Sequence, residues 1–111
     1  VAYFYLEEYD SSHAYLNKAT DIDSTVSNPY YYRARINYIE DNYNSALAEI
    51  NSAIKLVTEK AQYYVLRAKI YMFNESEYDD DMAIEDLNKA IKMGSEEAKE
   101  LLAEYFSEGD A

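Results

Sequence analysis

The chain has 111 residues, enough to bury one hydrophobic core but short of two independent domains, and its 49% hydrophobic content with two glycines and one proline excludes a disordered or loop-rich all-β chain. Having no cysteine, it cannot form disulfides, thiolate metal sites or a cysteine nucleophile. Ten basic against 22 acidic side chains leave a formal charge of -12, which repels phosphate backbones and anionic lipid and argues against nucleic acid as a partner.

No apolar run approaches the roughly eighteen residues of a membrane span, so no membrane insertion is expected. The opening VAYFYLEEYD lacks the charged start and small-residue exit of a signal peptide. A soluble chain is expected, with a cytoplasmic address favoured and export left open.

In chain order, the residues before Tyr9 read as the last turns of a helix whose beginning is missing, and a helix follows over about 9 to 22. If the chain is cut there, the flank of that helix is a place for self-association. A second helix spans 29 to 40, with Asn28 as its cap and Pro29 in its first turn, and a third spans 43 to 57. Thr58 is positioned to cap a fourth over 59 to 73. The acidic turn NESEYDDD leads into a fifth over 79 to 93, where Asp79 to Asp81 set negative charge at the helix start. Gly94 then Ser95 end that helix and start a sixth, SEEAKELLAEYF, over 95 to 106.

These helices repeat. An offset of 34 superposes Tyr9 on Tyr43, Ser12 on Ala46, Leu16 on Ile50, Ala19 on Ala53 and Ile22 on Leu56. The same offset matches Tyr30 with Tyr64, Arg33 with Arg67, Ala34 with Ala68 and Ile36 with Ile70. An offset of 37 carries Ala46 to Ala83, Ile50 to Leu87, Ala53 to Ala90 and Ile54 to Ile91, the three extra residues falling in the acidic turn. Within each copy apolar residues recur every three or four positions, making a stripe on a helix, and alanines two turns apart allow a second helix to come close. A period near this length belongs to a two-helix solenoid unit. Four segments result: a partial repeat over 1 to 26, a repeat over 27 to 60, a repeat with a loop insertion over 61 to 94, and a capping helix with tail over 95 to 111, which reads equally as the first helix of a further unit if the protein continues.

On these residues the sequence resembles the tetratricopeptide repeat family. The middle unit carries Tyr30, Ala34, Tyr43, Ala46, Ile50 and Ala53 at the family's packing positions. Tyr64, Ala68, Tyr71, Ala83, Leu87 and Ala90 repeat the pattern. Asn37, where an aromatic is usual, Ser12, where alanine is, and Thr58, where proline often stands, depart from it. The resemblance implies an all-α, right-handed superhelical stack of antiparallel helix pairs whose first helices line a concave surface.

That surface implies a site. By the resemblance, Asn28, Tyr31, Tyr32, Arg35, Tyr38 and Ile39 face it from one unit. Gln62, Val65, Leu66, Lys69, Met72 and Phe73 face it from the next, and Phe4 and Tyr5 continue the strip. Such a face suits an extended peptide held by apolar contacts, with Arg35 and Lys69 anchoring an acidic group or C-terminal carboxylate. Neither cation has an acidic residue three or four positions away in its helix, so they either anchor an anion, extend into water or pair across helices. Met72 and Phe73 read equally as groove or packing residues. In family members that clamp a peptide carboxylate, asparagine is common where Arg35 and Lys69 stand and a basic residue where Tyr31 and Val65 stand, so that clamp is not reproduced. Arg33 and Arg67 are expected to be structural, reaching Glu49 and Asp86 on the following helices, since a buried guanidinium needs a partner.

Catalysis is not expected. His13 beside Ser12 and near Asp10 lacks the geometry of a triad, because neighbouring helix residues point about 100 degrees apart, and it reads as an exposed helix histidine. Glu75, Glu77 and Asp79 to Asp81 lack the central glycine and final glutamate of a calcium loop, so neither metal nor cofactor is expected. The function expected is non-enzymatic binding of a peptide or extended protein segment; the alternative is a spacer or oligomerisation segment of a longer protein.

Overall fold

The computed structural model describes residues 13–20, 23, 25–74 and 79–106. All regular structure among them is α-helical, in six helices. The described part of α1 is residues 13–20; α2 is Ser27–Ile39, α3 Tyr43–Leu56, α4 Ala61–Phe73, α5 Asp80–Lys92 and α6 Glu96–Phe106. The chain divides into two compact units, Val1–Val57 and Thr58–Ala111, each taken by itself below. Phe4, Tyr5, Tyr9, Ser12, Ile22, Glu75 and Glu77, which the sequence reading used, lie outside the described residues.

In the first unit α2 and α3 form an antiparallel pair, closed by a turn at which Tyr38 meets Tyr43 and spanned further along by Arg33 and Glu49. Ala34, Ala46, Ile50 and Ala53 are fully buried and Leu16 of α1 nearly so, so small side chains stand where the helices come together. Arg33 also bonds Asn17 and Thr20, which ties α1 to the same pair.

The second unit repeats the pairing with α4 and α5. Arg67 meets Asp86 and Lys89 lies over the Tyr64 ring, so partners on α5 rise in number as those on α4 fall. Tyr63, Ala68, Ile70, Ala83, Leu87 and Ala90 are buried to the last few per cent, and α6 adds Ala98. Tyr64 is buried too, its hydroxyl donating to the Thr58 carbonyl at 2.8 Å.

The helix ends follow the expected chemistry in part. The Asp79 carboxylate accepts from the Met82 amide at 3.1 Å, with Asp80 and Asp81 in the first turn of α5. Gly94, at φ 97, ends α5 with its own amide on Ile91 and the Ser95 amide on Ala90, and Ser95 Oγ then caps α6 through the Ala98 amide at 3.1 Å. The expected starts of α2 and α4 are corrected. The cap residues there are Val26 and Lys60, without side-chain cap bonds, so neither Asn28 nor Thr58 caps a helix. Pro29 sits in the third helical position, where its missing amide hydrogen is still among those a helix start leaves unused.

Candidate functional site

On α2, Tyr31, Tyr32 and Arg35 stand three and four residues apart, the spacing that brings helix side chains together. The Arg35 guanidinium carbon lies 5.7 Å from the Tyr31 ring centre and 5.8 Å from that of Tyr32. The two rings are 5.4 Å apart and tilted by 59°. Tyr32 is 47% exposed, Arg35 is exposed, and Arg35 makes no ion pair among the described residues. This is a cation held by aromatic faces with its hydrogen-bond donors turned to solvent. Asn28 and Ile39 are exposed at the two ends of the helix, while Tyr38 is half-buried, edge-on to Tyr43 at 5.8 Å.

The corresponding residues of the second unit differ, and the expectation for them is corrected. Val65 and Leu66 are 4% and 6% exposed, so they belong to the core rather than to a binding face. Lys69 Nζ lies 2.6 Å from a Glu97 carboxylate oxygen, and the Phe73 ring meets Tyr105 edge-on at 5.6 Å. Both partners come from α6, so the cation and the aromatic ring are already in use. Gln62 is exposed and Met72 half-buried.

The two arginines one helical face away are engaged inside their units. Arg67 makes a two-pronged bond to Asp86, whose side chain is only 2% exposed. That bond, outweighing the opposing effect of burial, raises the guanidinium above its already high ordinary pKa. Arg33 Nε donates to Glu49 and its Nη1 to Asn17 and Thr20.

Beside Arg33 the first unit opens into a polar cleft of about 560 Å³ between α1, α2 and α3. His13, Arg33, Asn37, Ser45 and Glu49 line it, with Ala48 as the apolar part of the wall. His13 is not the exposed residue expected: it is half-buried, its Nε2 2.9 Å from Glu40 Oε1. That pairing spans 27 residues of sequence and leaves no local signal from which to read it. The link from Lys69 to Glu97 was hidden for the same reason, although the amphipathic pattern of α6 marks it as a helix that must cover something.

Among the described residues no group of three or more His, Asp or Glu is placed to hold a metal ion, and no helix is long and apolar enough to cross a membrane. Comparison of the chain with protein-family models gives no match, and comparison with curated proteins gives none.

Proposed function

We propose that the chain is a non-enzymatic protein-interaction module of tetratricopeptide-like build, and that it holds a peptide or extended protein segment against the exposed face of α2. The observation that carries this reading is Arg35 resting on Tyr31 and Tyr32 with no carboxylate partner among the described residues, in a chain of charge -12. A guanidinium whose planar fork is steadied by two rings loses little freedom when it takes a carboxylate in two-pronged fashion. The rings themselves offer the broad, stiff contact that anchors a bound chain. The partner is therefore a segment with an acidic side chain or a free C-terminal carboxylate next to apolar residues.

The test is a fluorescence-anisotropy titration of the whole chain with an acidic peptide library in which each member exists with a free and an amidated C-terminus. Saturable binding that weakens about tenfold in Arg35→Ala and in Tyr32→Ala is expected, the loss typical of a central interface anchor. Binding unchanged by both substitutions moves the site elsewhere.

A spacer or oligomerisation role is the second reading, favoured by Tyr15 at 72%, Tyr32 at 47% and Ile39 at 51% exposure in the first unit. Sedimentation across a concentration series separates the two. Self-association abolished by Tyr32→Ala, with no peptide bound, selects it.

A further inference from the structure

We infer that the polar cleft between α1, α2 and α3 is a second binding site, and that it takes a neutral amide group through Asn37. Arg33 and Asn37 stand four residues apart on one face of α2, whereas Arg35 lies on the other side of that helix. The cleft is thus separate from the aromatic face and independent of the role assigned to it. Its volume of about 560 Å³ falls within the range of small-ligand sites.

Asn37 is the reason to expect a ligand there. It is 9% exposed, it lines the cleft, and its carboxamide makes no hydrogen bond among the described residues. A carboxamide so deeply placed normally finds a partner, because leaving both its donor and its acceptor unmet is unfavourable. Among the described residues no side-chain polar atom is sealed off without a partner, so what remains accessible of this amide opens to the cleft it lines.

Two neighbours are also partly unused. Arg33 is pinned by Nε on Glu49 and by Nη1 on Asn17 and Thr20, which leaves Nη2 without a bond among the described residues. The Ser45 hydroxyl on α3 makes none either.

Charge selects the class of ligand. Glu49 balances Arg33 and lines the cleft with it, and His13 of the lining is already paired with Glu40, so an anion gains little there and would face the Glu49 carboxylate. A neutral group with an acceptor and a donor side by side fits better. Asn37 Nδ2 donates to the ligand carbonyl, Oδ1 accepts from the ligand N–H, and Arg33 Nη2 supplies a second donor to that carbonyl. Peptide backbones and the side chains of asparagine and glutamine all carry this chemistry.

The experiment is an NMR titration of the whole isotopically labelled chain with N-acetylglycine N-methylamide, a backbone-type probe, with propionamide, a side-chain-type probe, and with sodium acetate. Saturable shifts of the Asn37 side-chain NH2 and of the Ser45 and Ala48 backbone amides are expected with an amide probe, at the millimolar affinity of so small a molecule. Whichever amide binds more tightly identifies the source of the group. Asn37→Leu, which places an apolar side chain at a nearly buried position and should fold, is expected to remove the Ser45 and Ala48 shifts. Ser45→Ala should weaken them about threefold. Saturation by acetate alone, no saturable shift with either amide, or shifts that survive in folded Asn37→Leu each overturn the assignment.

Discussion

Arg67 and Asp86 are joined across the α4 and α5 pair by two parallel hydrogen bonds, Nε to Oδ2 and Nη2 to Oδ1, each 2.8 Å long. Because Asp86 is all but inaccessible, its value is best measured by removing one partner and then both. Asp86→Ala leaves a guanidinium in a largely enclosed place without its counter-charge, and urea unfolding is expected to show a loss of about 3 to 5 kcal/mol. Replacing both partners together, Arg67→Met with Asp86→Leu, should recover most of that loss, since apolar contacts then take over from the desolvated pair. A single Asp86→Ala that unfolds like the parent would show that the pair does not hold the helices together.

The contacts of α6 predict a different balance. Lys69 to Glu97 is a partly exposed pair, with 28% and 55% of the two side chains accessible, so Glu97→Gln should cost no more than about 1 kcal/mol. Tyr105 covers Phe73 with its ring edge, and Tyr105→Ala removes an aromatic contact of about 0.5 to 1.5 kcal/mol in addition to buried area. Unfolding midpoints are therefore expected to fall further in Tyr105→Ala than in Glu97→Gln. The reverse order would make the ion pair, rather than the ring contact, what seats α6.

How much could be read in advance follows the range of each interaction. Ala34 and Ala68, or Ala46 and Ala83, announce themselves because helical period and repeat spacing agree on them, and each is fully buried. The pairing of Arg33 with Glu49, and of Arg67 with Asp86, is expected from the positions that the family resemblance assigns them, and both pairs are present. What the sequence hid are contacts between helices with no shared period: Lys69 with Glu97, Phe73 with Tyr105 and His13 with Glu40. Helix starts misled for a local reason. Asn28 before Pro29 is a strong start signal, yet Pro29 is equally comfortable two positions inside α2. Asn37 stood out only as a departure from an aromatic position; its meaning depends on three helices meeting around it.

Tyr71 supplies the pH dependence. Burial holds its phenol above the ordinary value near 10.0, with Asp86 and Asp79 adding to the effect and Arg67 opposing it. The neutral phenol is the form the fold prefers. The stability tied to it is thus fully present below the unfolded value, and is lost as pH rises through the higher folded one. In an NMR titration of ring-labelled tyrosine, the Tyr71 signal, identified by its absence in Tyr71→Phe, should ionise at higher pH than free N-acetyltyrosinamide added to the same sample. Ionisation of Tyr71 together with the free amide would show that its phenol is not screened from water in solution.

Two helices end on residues with left-handed backbones, and the pair isolates what that conformation costs. Asp41, at φ 63, closes α2 with its amide on Tyr38 and the Asn42 amide on Asn37; Gly94, at φ 97, closes α5 in the same pattern. A Cβ built on Gly94 meets nothing within 4 Å, so Gly94→Ala tests backbone strain without a clash, and a loss of about 1 kcal/mol is expected. Asp41 already bears the strain, and its carboxylate also accepts from the Tyr43 hydroxyl at 2.9 Å. Asp41→Ala loses that bond and keeps the strain, whereas Asp41→Gly loses the bond but relieves the strain, at about 0.4 to 1 kcal/mol of extra freedom in the unfolded chain. Alanine at 41 should therefore destabilise more than glycine, with the order read from urea midpoints. A glycine midpoint no higher than that of alanine would mean that relief of the left-handed strain is no larger than the freedom glycine adds to the unfolded chain.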